Sequence, residues 1–250
     1  MCTIVLLRRP DHGWPLVLAA NRDELVDRPW RAPGRHWSDR PNVVAGLDES
    51  AGGTWLGLND AGVVAAVSNR RGALGPASGK RSRGELPLAA LEHASAEAAA
   101  NALGGIAAAA YRPFNLVIAD RRRAFWLRNR EGADKIERFD VPEGLSMLTA
   151  GEIDDPASPR IRTYLPRFRA AAAPEPGRGD WDDWRALLAS REGDGGGDPN
   201  AAMTVVTDTG FGTVSGSLVA LPEVAGRGAR PVWLFAPGRP DRTPYAPVRG

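Results

Sequence analysis

Short apolar runs separated by turn residues dominate the first third of the chain. Four runs have strand length, and they cover residues 2–7, 15–20, 53–58 and 62–68. The first two are separated by Asp11-His12-Gly13 and the last two by Asn59-Asp60-Ala61-Gly62, so each pair predicts an antiparallel hairpin. Residues 28–41 contain three prolines and two tryptophans, which predicts an irregular loop.

Helical patterns appear later and in blocks. Helices are predicted over residues 86–103, 159–173 and 181–191. Further strands are predicted over 114–119, 124–128, 136–141, 145–150, 203–207, 213–221 and 232–236, and a loop over 193–199. Strands at both ends with helices inserted between them favour an α+β fold over a regular βαβ alternation. We expect a single domain over residues 1–250.

Charge and composition exclude several classes of protein. The chain has 32 Lys and Arg against 30 Asp and Glu, a formal net charge of +2, which does not favour a nucleic-acid-binding protein. No apolar stretch is long enough to span a bilayer, and the apolar run at the start ends at Arg8-Arg9, too early for a secretion signal. We therefore expect a soluble, cytoplasmic protein with no membrane span and no nucleic-acid partner.

The single cysteine excludes an internal disulfide, a Cys-based zinc site and an iron–sulfur cluster. The three histidines, His12, His36 and His93, lie far apart in sequence and form no metal-binding pair. We predict no metal site and no required cofactor.

Cys2 is the residue that points most directly to chemistry. Removal of Met1 would leave Cys2 with a free α-amine, whose ordinary pKa is about 7.7–8.0, beside a thiol with a pKa of about 8.5. One residue then carries both a nucleophile and a base, as in N-terminal-nucleophile (Ntn) enzymes. The alternative interpretation is a small buried apolar side chain in a strand.

Four polar residues, Asn21-Arg22-Asp23-Glu24, follow directly on the second apolar run. In a strand, Asn21 and Asp23 lie on one face and Arg22 on the other. If this strand pairs with the first, Asp23 can hold the amine of Cys2, and Asn21 or Arg22 can orient a substrate carbonyl. The alternative is a surface ion pair between Arg22 and Asp23 or Glu24.

Asn69 ends the second predicted hairpin. Its amide is suited to donate to an oxyanion that develops during acyl transfer. The alternative is an ordinary turn residue. The candidate catalytic residues are therefore Cys2, Asp23, Asn69, Arg22 and Asn21.

Several motifs in this order resemble the NRDE family, also called the transport and Golgi organization protein 2 family. The opening carries Met1-Cys2, Ala19-Ala20-Asn21-Arg22-Asp23-Glu24 and Arg28-Pro29. The later motifs are Gly46-Leu47-Asp48, Gly52-Gly53-Thr54-Trp55-Leu56-Gly57, Ser68-Asn69, Ser82-Arg83-Gly84-Glu85-Leu86, Phe114-Asn115-Leu116 with Asp120, and Gly144-Leu145-Ser146. The similarity is strong to about Asp120 and weaker beyond it.

That family is similar to Ntn hydrolases of the choloylglycine-hydrolase and penicillin-acylase type. The resemblance implies an αββα four-layer sandwich of two stacked, mainly antiparallel sheets. It also implies Cys2 as nucleophile, Asp23 as partner of its amine, Asn69 in the oxyanion hole, and Asn21 or Arg22 as substrate-positioning residues. The chain departs from the hydrolases at Thr149-Ala150-Gly151 and from relatives at Val214.

Three functions remain open at this point. The first is an amidohydrolase or acyltransferase that acts on a non-peptide C–N bond of a small molecule through a Cys2 thioester. The second is a non-enzymatic protein that binds and traffics haem or a lipid or acyl-CoA on the same scaffold, with Cys2 and the histidines as candidate iron ligands. The third is an interaction module without a ligand.

Overall fold

The computed structural model describes residues 2–193, 198–223 and 230–249. The chain divides into two compact units, Met1–Arg28 with Glu143–Val248, and Pro29–Pro142 with Arg249–Gly250. The expectation of a single domain stays a prediction. Residues 194–197 of the predicted loop over 193–199 lie outside the described residues.

The first unit contains a six-stranded antiparallel sheet. Its strands are β1 (Thr3–Arg8), β2 (Leu16–Leu25), β10 (Gly144–Leu148), β11 (Phe211–Leu221), β12 (Val232–Ala236) and β13 (Ala246–Pro247). They lie side by side in the order β10, β1, β2, β11, β12, β13. The predicted first hairpin is confirmed, because β1 pairs with β2 from Arg8 opposite Leu16 to Thr3 opposite Asn21.

Two helices cover one face of this sheet, α3 (Pro159–Ala170) and α4 (Asp182–Ala189). The Ser158 hydroxyl accepts the backbone N–H of Ile161 and caps α3, while Asp182 and Asp183 place negative charge in the first turn of α4. Apolar side chains of β1, β2 and β11 pack beneath the helices, among them Val5, Val17, Ala19 and Leu218.

The second unit contains a seven-stranded antiparallel sheet in simple chain order, from β3 to β9. Its strands are β3 (Trp30–Gly34), β4 (Val43–Asp48), β5 (Leu56–Asn59), β6 (Val64–Asn69), β7 (Phe114–Ala119), β8 (Ala124–Asn129) and β9 (Glu137–Asp140). Helices α1 (Glu85–Ala90) and α2 (Ala96–Gly104) pack on one of its faces. The second predicted hairpin is confirmed as β5 and β6. The α+β class and the two antiparallel sheets are confirmed.

The prediction of an irregular loop over residues 28–41 is wrong in part, because β3 lies within it and pairs with β4. Proline lacks a ladder donor and is tolerated on an edge strand, and β3 is an edge of its sheet. Pro33 falls where the pairing register shifts, between Arg31 and Gly34. The sequence patterns do not predict strands β4 and β13.

The single helix predicted over residues 86–103 is wrong, because the chain forms two helices there. The Asn59 side-chain amide donates to the backbone carbonyls of Leu91 and His93, both at 2.8 Å, which holds the segment between the helices outside helical pairing. Ser95 then caps α2 by accepting the backbone N–H of Ala98. A side chain distant in sequence therefore interrupts a locally favourable helix.

The strand predicted over residues 203–207 is also wrong. Its backbone binds other groups: the Thr204 N–H donates to the Ser190 carbonyl at the end of α4, and the Val205 N–H donates to the Thr213 hydroxyl. Only an isolated bridge joins Val206 to Gly212. Among the helices that the structure describes, none is long and apolar enough to cross a membrane.

Candidate active site

Cys2 lies immediately before β1, in the first unit, and the residue as a whole is partly exposed. Its thiol is 3.7 Å from the backbone carbonyl oxygen of Asp23 on the neighbouring strand β2. The register that pairs Thr3 with Asn21 places Cys2 beside Arg22. The structure therefore brings four of the five predicted site residues, Cys2, Asn21, Arg22 and Asp23, to the same end of two paired strands.

Strand alternation divides these residues between the two faces of the sheet. Val5 and Val17 pack under the helices, and Thr3, Asn21 and Asp23 follow the same alternation toward them. Cys2 and Arg22 fall on the opposite face. The predicted arrangement, with Asn21 and Asp23 on one face and Arg22 on the other, is what the structure shows.

The Asp23 carboxylate is buried and held on both oxygens. One oxygen accepts a hydrogen bond from the Arg160 guanidinium at 3.0 Å, and the other accepts the Thr213 hydroxyl at 2.7 Å. The exposed fractions of the Arg160 and Asp23 side chains are 1% and 0%. Such a pair is stable inside a protein only when further hydrogen bonds satisfy it, and Thr213 supplies one.

Sequence reasoning did not find Arg160. It is the second residue of α3 and lies on the same helix face as Tyr164 and Phe168, which are also buried. Its guanidinium donates to the Thr3 hydroxyl at 2.6 Å and to the Asn200 backbone carbonyl at 3.0 Å, besides Asp23. An arginine at four-residue spacing with two aromatic core residues was the available signal, since charged side chains are rarely buried without a partner.

The thiol of Cys2 carries a raised pKa. Burial raises the pKa of the Cys2 thiol above its ordinary value, and the negative charge of Asp23 raises it as well. The positive charge of Arg22 acts in the opposite direction. The thiol is therefore protonated at neutral pH, and its use as a nucleophile requires a nearby group that removes the proton.

The side chain of Asn21 is buried and hydrogen-bonded to the backbone of its own unit. Its side-chain amide donates to the backbone carbonyls of Leu188, at the end of α4, and Met203, both at 2.9 Å. Both amide hydrogens are therefore used within the first unit, and they fasten β2 to the segment after the helix. Of the two residues expected to orient a substrate, Arg22 is the one that shares a sheet face with Cys2.

We expect Asn21→Ala to lower the free energy of unfolding by about 2–3 kcal/mol, because it removes two buried hydrogen bonds, one to the carbonyl of Leu188 and one to that of Met203. Urea unfolding followed by circular dichroism measures the change. Asn101→Ala, at an exposed position of α2, is the matched control and should change it by less than about 0.5 kcal/mol. An equally small effect of Asn21→Ala would refute the structural role.

Asn69 lies in the second unit, as the last residue of β6 and opposite Phe114 of β7. It follows Val67 in the strand alternation, and Val67 packs against the core under α1 and α2. Its predicted contribution to an oxyanion hole stays a prediction.

The chain departs from the proteins that it resembles at Thr149 and at Val214, and both residues are buried in the fold. The Thr149 hydroxyl is 3.2 Å from the hydroxyl of Ser158, the residue that caps α3. Val214 is buried at a register shift of β11, where Thr213 pairs with Asp23 and Ser215 with Arg22. The bulge turns Thr213 toward Asp23 without displacing the rest of the strand pairing.

The histidines are dispersed. The His12 ring accepts the backbone N–H of Trp14, and the His36 ring is 2.8 Å from the Ala32 carbonyl. Across residues 2–193, 198–223 and 230–249, no group of three or more His, Cys, Asp or Glu side chains is arranged to hold a metal ion.

Comparison with solved structures shows similarity to two hydrolases. The chain is similar to the Caenorhabditis elegans ortholog of N-acylethanolamine-hydrolyzing acid amidase, with a TM-score of 0.62, 12% identity, and coverage of 90% of this chain and 94% of the other. It is also similar to a C2A mutant of conjugated bile acid hydrolase from Clostridium perfringens, with a TM-score of 0.52, 13% identity, and coverage of 100% and 97%. These similarities show the Ntn-hydrolase fold.

Sequence comparison identifies the family. The chain is 37% identical over 114 residues to the Transport and Golgi organization protein 2 homolog of Bos taurus, a match that covers 44% of this chain. The chain spans only 40% of the length of that relative in this match. The model of the family described as Transport and Golgi organisation 2 matches residues 1–174, well over half of the chain. The chain therefore belongs to the Transport and Golgi organisation 2 family.

Proposed function

We propose that this protein is an Ntn-hydrolase-like enzyme that cleaves or transfers an acyl group at a non-peptide amide bond through a thioester on Cys2. The observation that carries the proposal is the position of the Cys2 thiol. Cys2 is a partly exposed residue directly before a strand, and its buried thiol is 3.7 Å from the Asp23 carbonyl oxygen and on the same sheet face as Arg22.

The proposed reaction begins after removal of Met1, which frees the α-amine of Cys2. The Cys2 sulfur attacks the amide carbonyl carbon while its proton passes to the amine. The amine then donates that proton to the leaving nitrogen as the C–N bond breaks. An acyl thioester on Cys2 and a free amine product result.

The thioester is then resolved by water or by another acyl acceptor. The α-amine removes a proton from the acceptor, the acceptor oxygen or nitrogen attacks the thioester carbonyl, and the carbon–sulfur bond breaks. The sulfur regains its proton. With water, the sum is an amide plus water giving a carboxylic acid plus an amine.

The proposed roles of the remaining residues follow their environments. Arg22, buried on the face of Cys2, orients the substrate carbonyl and lowers the pKa of the thiol. Asp23, fixed by Arg160 and Thr213, is the proposed partner of the Cys2 amine. Asn69 keeps its expected role as amide donor to the oxyanion.

The names of the structural neighbours support an amide or conjugate as substrate class. One is described as an acid amidase that hydrolyses N-acylethanolamines and the other as a hydrolase of conjugated bile acids. The second carries a C2A substitution, so a cysteine normally stands at its second position. At 12% and 13% identity these names define a class of reaction to test and no particular substrate.

Incubation with a panel of small N-acyl amides, with released amine measured by mass spectrometry, tests the proposal. The panel varies the acyl group from acetyl to long aliphatic and aromatic, and parallel titrations use haem and an acyl-CoA. Release of amine from at least one amide supports the proposal. Saturable binding of haem or acyl-CoA, together with no turnover of any amide, would replace it with the non-enzymatic alternative.

A further inference from the structure

The buried guanidinium of Arg160 contacts the two strands next to the candidate nucleophile. These are β1, which directly follows Cys2, and its neighbour β2. Arg160 donates to Thr3, the residue directly after Cys2, and to Asp23, the residue whose backbone carbonyl contacts the Cys2 thiol. The same nitrogen, Nη1, makes both hydrogen bonds, at 2.6 and 3.0 Å. A displacement of this side chain therefore alters both neighbours of Cys2 at once.

Arg160 is itself held by groups from several elements. Its position as the second residue of α3 is set by the cap from Ser158, and its Nε donates to the Asn200 carbonyl at 3.0 Å. The planar guanidinium has several donors in a rigid arrangement, so one side chain joins a helix, two strands and a loop. Neutralising the charge of Asp23 requires only the contact with Asp23, whereas Arg160 also donates to Thr3 and to Asn200.

Arg160 also holds one of the charges that act on the thiol. Asp23 acts on Cys2 as a nearby negative charge, which favours the protonated thiol, whereas Arg22 favours the thiolate. Arg160 pairs with Asp23 at 3.0 Å and so fixes the position of that negative charge. The charged groups that act on the thiol directly are Asp23 and Arg22 on β2 and the chain-terminal amine.

We propose that Arg160 is a positioning residue that acts through Thr3 and Asp23 to set the place and the reactivity of the Cys2 thiol. The proposal rests on the proposed function, in which Cys2 is the nucleophile. It assigns to α3, a helix outside the family's opening motifs, an indirect part in the site.

The test is a double-mutant cycle read by thiol alkylation. The rate of iodoacetamide reaction with Cys2 is measured from pH 6 to 10 for the unchanged protein, Arg160→Met, Asp23→Asn and the double variant. We expect Arg160→Met to raise the thiol pKa by about one unit and to slow alkylation at pH 7 about tenfold, because the Asp23 carboxylate loses the guanidinium that fixes its position. In the Asp23→Asn background the same substitution should change the pKa by less than about 0.3 units.

Two further variants keep the test decisive if Arg160→Met folds poorly. Arg160→Lys retains the charge, so the thiol pKa should move by less than half as much as in Arg160→Met. Arg169→Met, at an exposed position of the same helix, should leave the alkylation profile unchanged. An unaltered thiol pKa in both Arg160 variants, or an equal shift with and without Asp23, would overturn the proposal.

The readout does not depend on turnover. A protein that hydrolyses no amide but shows the predicted coupling would refute the proposed function and leave the role of Arg160 toward Cys2 intact. Turnover with no coupling between Arg160 and Asp23 would refute the role of Arg160 alone.

Discussion

Replacing Cys2 with alanine is expected to abolish acyl transfer, with turnover falling at least ~10³-fold, while the protein stays folded. The loss follows because the sulfur forms the covalent bond to the acyl group, and no other group of the site substitutes for it. The side chain is small and its thiol makes one weak contact, with the Asp23 carbonyl, so the melting temperature should change by less than about 2 °C. Steady-state kinetics and thermal unfolding give the two values.

Cys2→Ser is the companion variant. It retains size and a proton-bearing nucleophile, so residual turnover above that of Cys2→Ala is expected, with acylation slower than in the unchanged protein. Full activity in Cys2→Ala would contradict the role of the thiol. A melting temperature lower by more than 5 °C would show instead that Cys2 supports the fold.

Arg160→Met is expected to lower the free energy of unfolding by about 3–5 kcal/mol. The substitution removes one member of a buried ion pair and leaves the Asp23 carboxylate charged and without its strongest partner. Urea unfolding monitored by tryptophan fluorescence measures the loss. The expected effect is the largest on stability among the substitutions considered, because neither side chain is accessible to water.

The double variant Asp23→Asn with Arg160→Met supplies the control for that loss. With both charges absent, no buried carboxylate faces an apolar side chain in place of the guanidinium, so stability should recover by at least about 1–2 kcal/mol relative to Arg160→Met alone. The opposite outcome is additivity, in which the free energy of unfolding lost in the double variant equals the sum of the losses in Arg160→Met and Asp23→Asn. In that case the two residues do not interact and the pair contributes nothing specific.

Short-range patterns in the sequence were sufficient for part of the site. The apolar runs and their turn residues predict β1, β2 and their pairing, and pairing brings Cys2 beside Asn21-Arg22-Asp23. The alternation of a strand then assigns Asp23 to one face and Arg22 to the other. Each of these inferences needs only neighbours in sequence or one hairpin register.

The remainder of the site depends on contacts between distant residues. Arg160 is separated from Asp23 by 137 positions and Thr213 by 190, so no local pattern joins them. The helix over 86–103 is interrupted by Asn59, more than 30 residues away. Residues 203–207 have strand-like composition but bind α4 and Thr213 instead. Tertiary hydrogen bonds override local preference at each of these places.

The environment of Asn21 illustrates how the same residue type supports two interpretations. From sequence, an amide at a strand end suits substrate binding. In the fold its two amide hydrogens are used by the carbonyls of Leu188 and Met203. An amide on a strand is therefore as well suited to fastening a helix as to binding a ligand, and only the position of its acceptors distinguishes the two.

Intact-protein and peptide mass spectrometry after brief exposure to a reactive acyl donor tests the central claim most directly. The account predicts that Met1 is absent, that one acyl group is added per chain, and that the modified residue is Cys2, with the adduct released by hydroxylamine as expected of a thioester. A chain that retains Met1 and carries no acyl group on Cys2 would contradict the proposed mechanism.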